Sequence, residues 1–365
     1  MPILSPPDEL HALPPQPADV PWPTHEWPTG DVPAAVDAAG LDATLDRAFG
    51  PDPDPGFGES HAAVIVHAGR IVAERYGPGT DLDTPLLSWS MAKSVTHALV
   101  GILVEQGHLH PHEPLGVPEW RDPDDPRGAI TLHQALRMVD GLEFNETYAI
   151  PEDPEADVAL SHCIDMLFGA GRADHGAYTA ARPAIHPPDT VFNYSSGTSN
   201  LIARRVCDVI GRGDEATAWM HEHLFGPIGM TSAVPGFDEA GNFVGSSYVH
   251  ATARDWARFG LLHLRGGRWG DRQVVPADWV DDGRTTRAVD EEGNHYGAHW
   301  WTAPDGRGRF WASGFGYQRV VCVPATDLVV VRLGNTAEDD YETPRVWMDE
   351  LVACFDPVRP DEAAD

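Results

Sequence analysis

Met91, Val95, Ala98, Leu99, Ile102 and Leu103 recur at the i, i+4, i+7, i+8, i+11, i+12 spacing of one buried helical face, and this predicts a helix opening near Ser90. Further helical patterns cover residues 36–49, 130–138, 157–168, 199–210, 216–224, 253–264 and 342–355, joined by long loops rich in Gly, Pro and Asp. Residues 62–66 and 71–75 are β-prone runs flanking His67-Ala-Gly-Arg70, which predicts a hairpin. Residues 310–312, 319–323 and 328–333 form three more such runs, separated by Gly or Pro-Ala-Thr-Asp signals, and read as an antiparallel meander.

Strands near both ends with helices between them predict an α+β fold: an antiparallel sheet built from N- and C-terminal segments, flanked by helices, with an inserted mostly helical domain. The expected division is 36–88 and 285–365 for the sheet domain and 89–284 for the helical one, with the helix at Ser90 on their interface. An active site in such a chain is expected in the cleft between the two parts. Residues 1–35 hold ten prolines, which forbid helix and predict an extended arm. Trp22 and Trp27 within it are costly to expose, so the arm is expected to lie along the body. No internal repeat is found.

Composition narrows the function. The 365 residues carry 56 Asp+Glu against 25 Lys+Arg, a formal charge of −31, which excludes a nucleic-acid binder driven by phosphate contacts. No run approaches the roughly 18 apolar residues of a membrane helix, and Met1-Pro-Ile-Leu-Ser-Pro-Pro-Asp lacks the basic and apolar regions of a secretory signal, so a cytoplasmic protein without membrane partners is expected. Cys163, Cys207, Cys322 and Cys354 lie far apart in apolar stretches and show no C-x-x-C spacing, which argues against a disulfide or zinc framework.

Ser90-Met-Ala-Lys93 carries the sharpest chemical signal, because Lys93 is the sole lysine beside 24 arginines. Residues three apart on a helix share a face, and a serine at its N-terminal end meets the positive end of the dipole. A serine hydroxyl needs a partner to take its proton; a desolvated lysine is able to do so, whereas arginine keeps its own. Competing motifs are weaker. His221-Glu-His223 is too tight for a zinc-binding H-E-x-x-H, His108, His110 and His112 sit in a Pro-rich loop, and neither G-x-S-x-G nor a phosphate-binding G-x-x-x-x-G-K-[ST] is present. Trp300 and Trp301 read as core before substrate platform. No metal and no cofactor are implied.

From about residue 22 to 352 the chain resembles the serine β-lactamase and penicillin-binding-protein superfamily, in the class C-like branch that includes esterases and 6-aminohexanoate-dimer hydrolases. The resemblance rests on Ser90-Met-Ala-Lys93, on residues 130–142 continuing into Glu143-Phe-Asn-Glu146 and Tyr148, on Leu224-Phe-Gly-Pro-Ile-Gly-Met230, and on residues 253–260 followed by Gly267-Arg-Trp-Gly270. It implies Ser90 as nucleophile and Lys93 as its partner. Asn193-Tyr194-Ser195-Ser196 is similar to the family's second element, which implies Tyr194 as acid/base and Ser196 as a polar neighbour. The division of the base role between Lys93 and Tyr194 stays open. The family's third element, K-T-G or H-x-G on an edge strand, aligns with Ala312-Ser-Gly-Phe-Gly, where the basic residue is missing. A backbone N–H there, of Phe315 by position or Ser313 in another register, would join that of Ser90 as an oxyanion hole.

The resemblance implies a serine hydrolase cleaving a small-molecule amide or ester, a linear oligoamide or short-chain ester in preference to a β-lactam or D-peptide. The competing reading is a non-catalytic ligand-binding or sensing module of the same fold. The oligomeric state is not legible.

The acidic surplus with lysine depletion resembles proteins of salt-loaded cytoplasms, against the plainer reading of an acidic protein from an Arg-preferring genome. Because 31 uncompensated negatives repel one another in dilute buffer, the first reading predicts a melting temperature that climbs from low to multimolar KCl. A flat profile would overturn it.

Overall fold

Val, Ile, Phe and Trp runs build one antiparallel sheet of eight strands in the computed structural model, which describes residues 10–148 and 161–356. The strands are β1 (Glu59–His67), β2 (Arg70–Tyr76), β3 (Ala288–Val289), β4 (His295–Tyr296), β5 (Trp301–Thr302), β6 (Phe310–Gly314), β7 (Gln318–Val323) and β8 (Leu328–Asn335). Their spatial order is β2-β1-β8-β7-β6-β5-β4-β3, so the N-terminal hairpin joins the C-terminal meander along a seam where Glu59 faces Asn335 and His67 faces Leu328. The predicted hairpin turn is present: Ala68 (φ 48°) and Gly69 (φ 76°) are both left-handed, as a two-residue turn matching strand twist requires.

Alternation along the strands sorts side chains into two cores. Ala63, Ile65, Val321, Val323, Leu328 and Val330 face α1 (Ala38–Phe49) and α5 (Glu342–Ala353), where Leu41, Leu45, Trp347 and Leu351 cover them. Val64, Val66, Val320, Cys322, Val329 and Val331 face the larger core, shared with α2 (Ala92–Glu105), α3 (Ser196–Ile210) and α4 (Ala253–Leu264). Residues 92–103 of α2 are all buried, so the helix is a central rod, where the sequence pattern showed a single buried face.

Other expectations shift at their ends. The helix expected at 130–138 is only Leu132–Leu136, closed at its start by a capping box of Thr131 and Gln134. The helix expected from 199 begins at Ser196, capped by Ser195, and the one at 216–224 is Asp214–Met220, running on into a wider π turn at His221–Phe225. Residues 157–160 of the helix expected at 157–168 lie outside the described residues, and its observed part is His162–Phe168. From residue 10 the Pro-rich arm does follow the body. Trp27 is buried and donates to the Arg254 carbonyl (3.2 Å), Thr29 bridges Ile71, and Trp22 packs on Trp269. Among the described residues no helix is long and apolar enough to cross a membrane.

α4 lies close on the sheet because Gly260 has no side chain; a Cβ there would sit 2.6 Å from Val329 and 2.7 Å from Val320. Gly260→Val is expected to lower unfolding free energy by about 2 kcal/mol through overpacking, read from urea melts, whereas wild-type stability would contradict this packing. Acid sensitivity follows from His97, His263 and His299, all buried. Burial holds His97 well below its usual range, His263 at about 4 and His299 at about 3. Each stays neutral in the fold but takes a proton when unfolded below about pH 6.5. Asp140, pushed up by burial to about 6, works in the opposite direction as a single group. Stability should therefore fall as pH drops from 6.5 toward 4, and a constant melting temperature over that window would refute the assignment.

Candidate active site

The chain reaches Ser90 through a strained turn. Trp89 has φ 45°, a left-handed conformation costly for a bulky residue, and Trp89–Met91 forms a 3-10 turn that runs into α2. Ser88 anchors this turn from behind: its N–H donates to the Val249 carbonyl (2.9 Å), and its hydroxyl accepts from the Val249 N–H (3.1 Å). On the opposite side Gly314, the last residue of β6, approaches so closely that a Cβ would lie 2.3 Å from the Ser88 carbonyl oxygen.

One helical turn after Ser90, Lys93 is 2% exposed. Its Nζ is hydrogen-bonded to Ser90 Oγ (3.0 Å), Ser196 Oγ (2.8 Å) and the Ser246 carbonyl (3.2 Å). Each acceptor is itself held. Asn200 accepts from the Ser246 N–H (3.2 Å) and donates to the Ser246 hydroxyl (3.1 Å). Ser196, first residue of α3, donates its N–H to Glu146 Oε2 (2.7 Å) and its hydroxyl to Glu146 Oε1. Glu146 thus sits at the positive end of α3 and also accepts from the Tyr148 hydroxyl (3.0 Å).

Tyr194 precedes the α3 cap. Its ring lies against Tyr296 and Trp301, and Lys93 Nζ is 4.7 Å from the ring centroid. Burial raises the phenol above its usual value; the Lys93 charge pulls it back, and Glu146 pushes it further up. Ser90, Lys93, Tyr194 and Ser196 therefore converge, as expected from the sequence. Trp300 is core, whereas Trp301 flanks Tyr194.

The third expected element needs correction on one point: β6 is an interior strand, because β5 pairs with its Phe310 and Trp311. Residues 312–314 outrun β5, leaving an open edge only at this end. Phe315, in the turn that follows, packs edge-on to Trp89 and Tyr148. Its N–H carries no hydrogen bond among the described residues. The alternative, Ser313, pairs with Arg319 inside the sheet.

Ser90, Ser196 and Phe315 border a cavity of about 160 Å³ that is also lined by Trp89, Tyr148, Cys163, Ile164, Leu167, Phe168 and Ser247. Two larger hollows, about 630 Å³ beside the Pro-rich arm and about 420 Å³ near residues 141–145, contain none of Ser90, Lys93 or Tyr194. Among the described residues no group of three or more His, Cys, Asp or Glu could hold a metal ion. Sequence reading missed Glu146 and the Ser246 carbonyl as members of the site. The stretch 143–146 did signal resemblance, but no role was attached to Glu146.

Comparisons with known proteins bear on the family and the fold. A curated relative, the 6-aminohexanoate-dimer hydrolase of Paenarthrobacter ureafaciens, is 28% identical over 309 residues, 76% of this chain and 73% of that protein. Among solved structures, a Bacillus anthracis protein provisionally named a 6-aminohexanoate-dimer hydrolase superposes with TM-score 0.68 at 21% identity, over 93% of this chain and 90% of that one. A family VIII carboxylesterase superposes with TM-score 0.64 at 14% identity, over 89% and 99%, and both show the same fold. The family model described as Beta-lactamase matches residues 45–353, and the chain belongs to the Beta-lactamase family.

Proposed function

We propose that this chain hydrolyses small amides or carboxylic esters through an acyl-enzyme on Ser90. The observation that carries the reading is the buried Lys93 amine 3.0 Å from the Ser90 hydroxyl, with Ser196 and a backbone carbonyl as its other ligands. In the first step the Lys93 amine, acting in its neutral form, takes the Ser90 proton directly or across Tyr194 as Ser90 Oγ attacks the substrate carbonyl. The tetrahedral oxyanion is met by the N–H groups of Ser90 and Phe315, a contribution of a few kcal/mol. Collapse expels the amine or alkoxide, which takes its proton from Tyr194, and the Lys93 ammonium formed in the first step restores it. Water then attacks the acyl carbon, gives its proton to the Lys93–Tyr194 pair, and frees the carboxylic acid and Ser90.

Two features favour a linear amide or short ester over a β-lactam. Ala312 stands where a basic residue would grip a carboxylate, and the cavity wall is mostly aromatic and aliphatic. The curated relative is named for a 6-aminohexanoate dimer. Buried thiols at Cys163, Cys207 and Cys322, none of them in a disulfide, support a reducing cytoplasm as its setting.

Turnover of p-nitrophenyl acetate, p-nitrophenyl butyrate, a chromogenic cephalosporin and the linear aminohexanoate dimer tests the reading, in dilute and multimolar KCl. Ester or oligoamide cleavage is expected. Ser90→Ala and Lys93→Ala should each lose about 10⁴-fold or more in kcat with unchanged circular dichroism. Cephalosporin as the preferred substrate would overturn the substrate class, and full activity in Ser90→Ala, or a folded wild type silent on every substrate, would overturn the mechanism.

A further inference from the structure

Arg332 is fully buried in β8, between Val331 and Leu333, and among the described residues it forms no ion pair with a carboxylate. A guanidinium placed in a sheet interior without a counter-ion is costly. Burial draws its pKa down to about 10, still leaving it charged at neutral pH. Its bonds converge on one place. Nη1 donates to the carbonyls of Gly316 and Tyr317, both at 2.9 Å. Nη2 donates to Thr336 Oγ1 (2.7 Å) and to the Phe57 carbonyl (3.3 Å). The Gly316 N–H donates to the Tyr341 hydroxyl (2.9 Å), and the Thr336 N–H donates to the Gly316 carbonyl (3.2 Å).

The turn so held joins β6 to β7 and has left-handed backbone at Gly316 (φ 74°) and at Tyr317 (φ 58°), where a side chain makes that conformation costly. Phe315 opens this turn, and its N–H has no partner among the described residues. We propose that Arg332 is a positioning residue for the oxyanion hole, its guanidinium locking the 316–317 carbonyls so that the Phe315 N–H keeps its aim. This rests on the acyl-enzyme reading above. Arginine suits the task because one planar fork spans two turn carbonyls and Thr336 at once, a reach that a lysine ammonium lacks. The retained charge offsets its burial by strengthening each of these bonds.

The test compares p-nitrophenyl butyrate with its thionoester, whose larger, weakly accepting sulfur gains little from an oxyanion hole, using wild type, Arg332→Met, Arg332→Lys and Tyr341→Phe. Wild type should favour the oxygen ester well beyond the ratio seen with hydroxide alone. Arg332→Met should lower kcat about 10- to 100-fold, the loss expected for a displaced donor, with KM little changed and the ester preference reduced by a similar factor. Arg332→Lys should restore only part of it, and Tyr341→Phe should shift kcat and preference in the same direction by less. A folded Arg332→Met with wild-type kcat and preference, or a loss confined to KM, would overturn the inference. Should Arg332→Met fail to fold, unchanged preference in Tyr341→Phe would overturn it. A wild type that cleaves ester and thionoester in the hydroxide ratio would instead remove the oxyanion hole itself, and full activity in Ser90→Ala would remove the acyl-enzyme.

Discussion

One buried amine organises this protein. Lys93 Nζ is shared among Ser90 Oγ, Ser196 Oγ and the Ser246 carbonyl, groups carried by three separate parts of the chain. A buried amine needs its hydrogen bonds complete, so the Ser90 turn, the start of α3 and the 245–249 segment are fixed relative to one another by a common requirement. Glu146 completes the arrangement by placing a carboxylate on the far side of Ser196, so that charge is compensated through a hydroxyl without direct contact. The wholly buried α2 is the physical support for this, since a rod packed on every side cannot turn Ser90 and Lys93 away from their partners.

The sheet supplies the other half of the site. Its open stretch at residues 312–314 exists because β5 is only two residues long, and it meets the Ser90 turn where Gly314 leaves room for the Ser88 carbonyl. Backbone strain gathers at the same place: Trp89 on one side and Tyr317 on the other are both left-handed. Each is held by hydrogen bonds to neighbouring segments, Ser88 to Val249 in one case and Arg332 to the turn carbonyls in the other. Rigid elements thus carry the groups around Ser90, and two short turns with left-handed residues flank them.

Much of this was legible before any coordinates, for identifiable reasons. A three-residue separation at the start of a strongly periodic helix places Ser90 beside Lys93, and a lone lysine among arginines drew attention to that position. The helix at Ala253–Leu264 was read at both ends because Thr252 caps a clear amphipathic run. Tyr194 and Ser196 were placed by resemblance and not by spacing, since about a hundred residues of intervening chain carry no geometric information. What escaped had weak sequence signatures. Glu146 lies in an irregular segment without period, the Ser246 contribution is a backbone carbonyl indifferent to side-chain identity, and β3, β4 and β5 are too short to show alternation. Arg332 stands in a valine run where a charged residue ordinarily marks the solvent side of a strand; only the fold shows that it points inward.

The seam between β1 and β8, which pairs residue 59 with residue 335, also bears on how the molecule comes into being. On a ribosome the N-terminal hairpin emerges early, yet its inner edge stays open until almost the whole chain has been translated. Closing so long a loop is slow, and during the wait that edge is a template for pairing with neighbouring nascent chains. The net charge of −31 acts against such pairing, because like-charged copies repel one another.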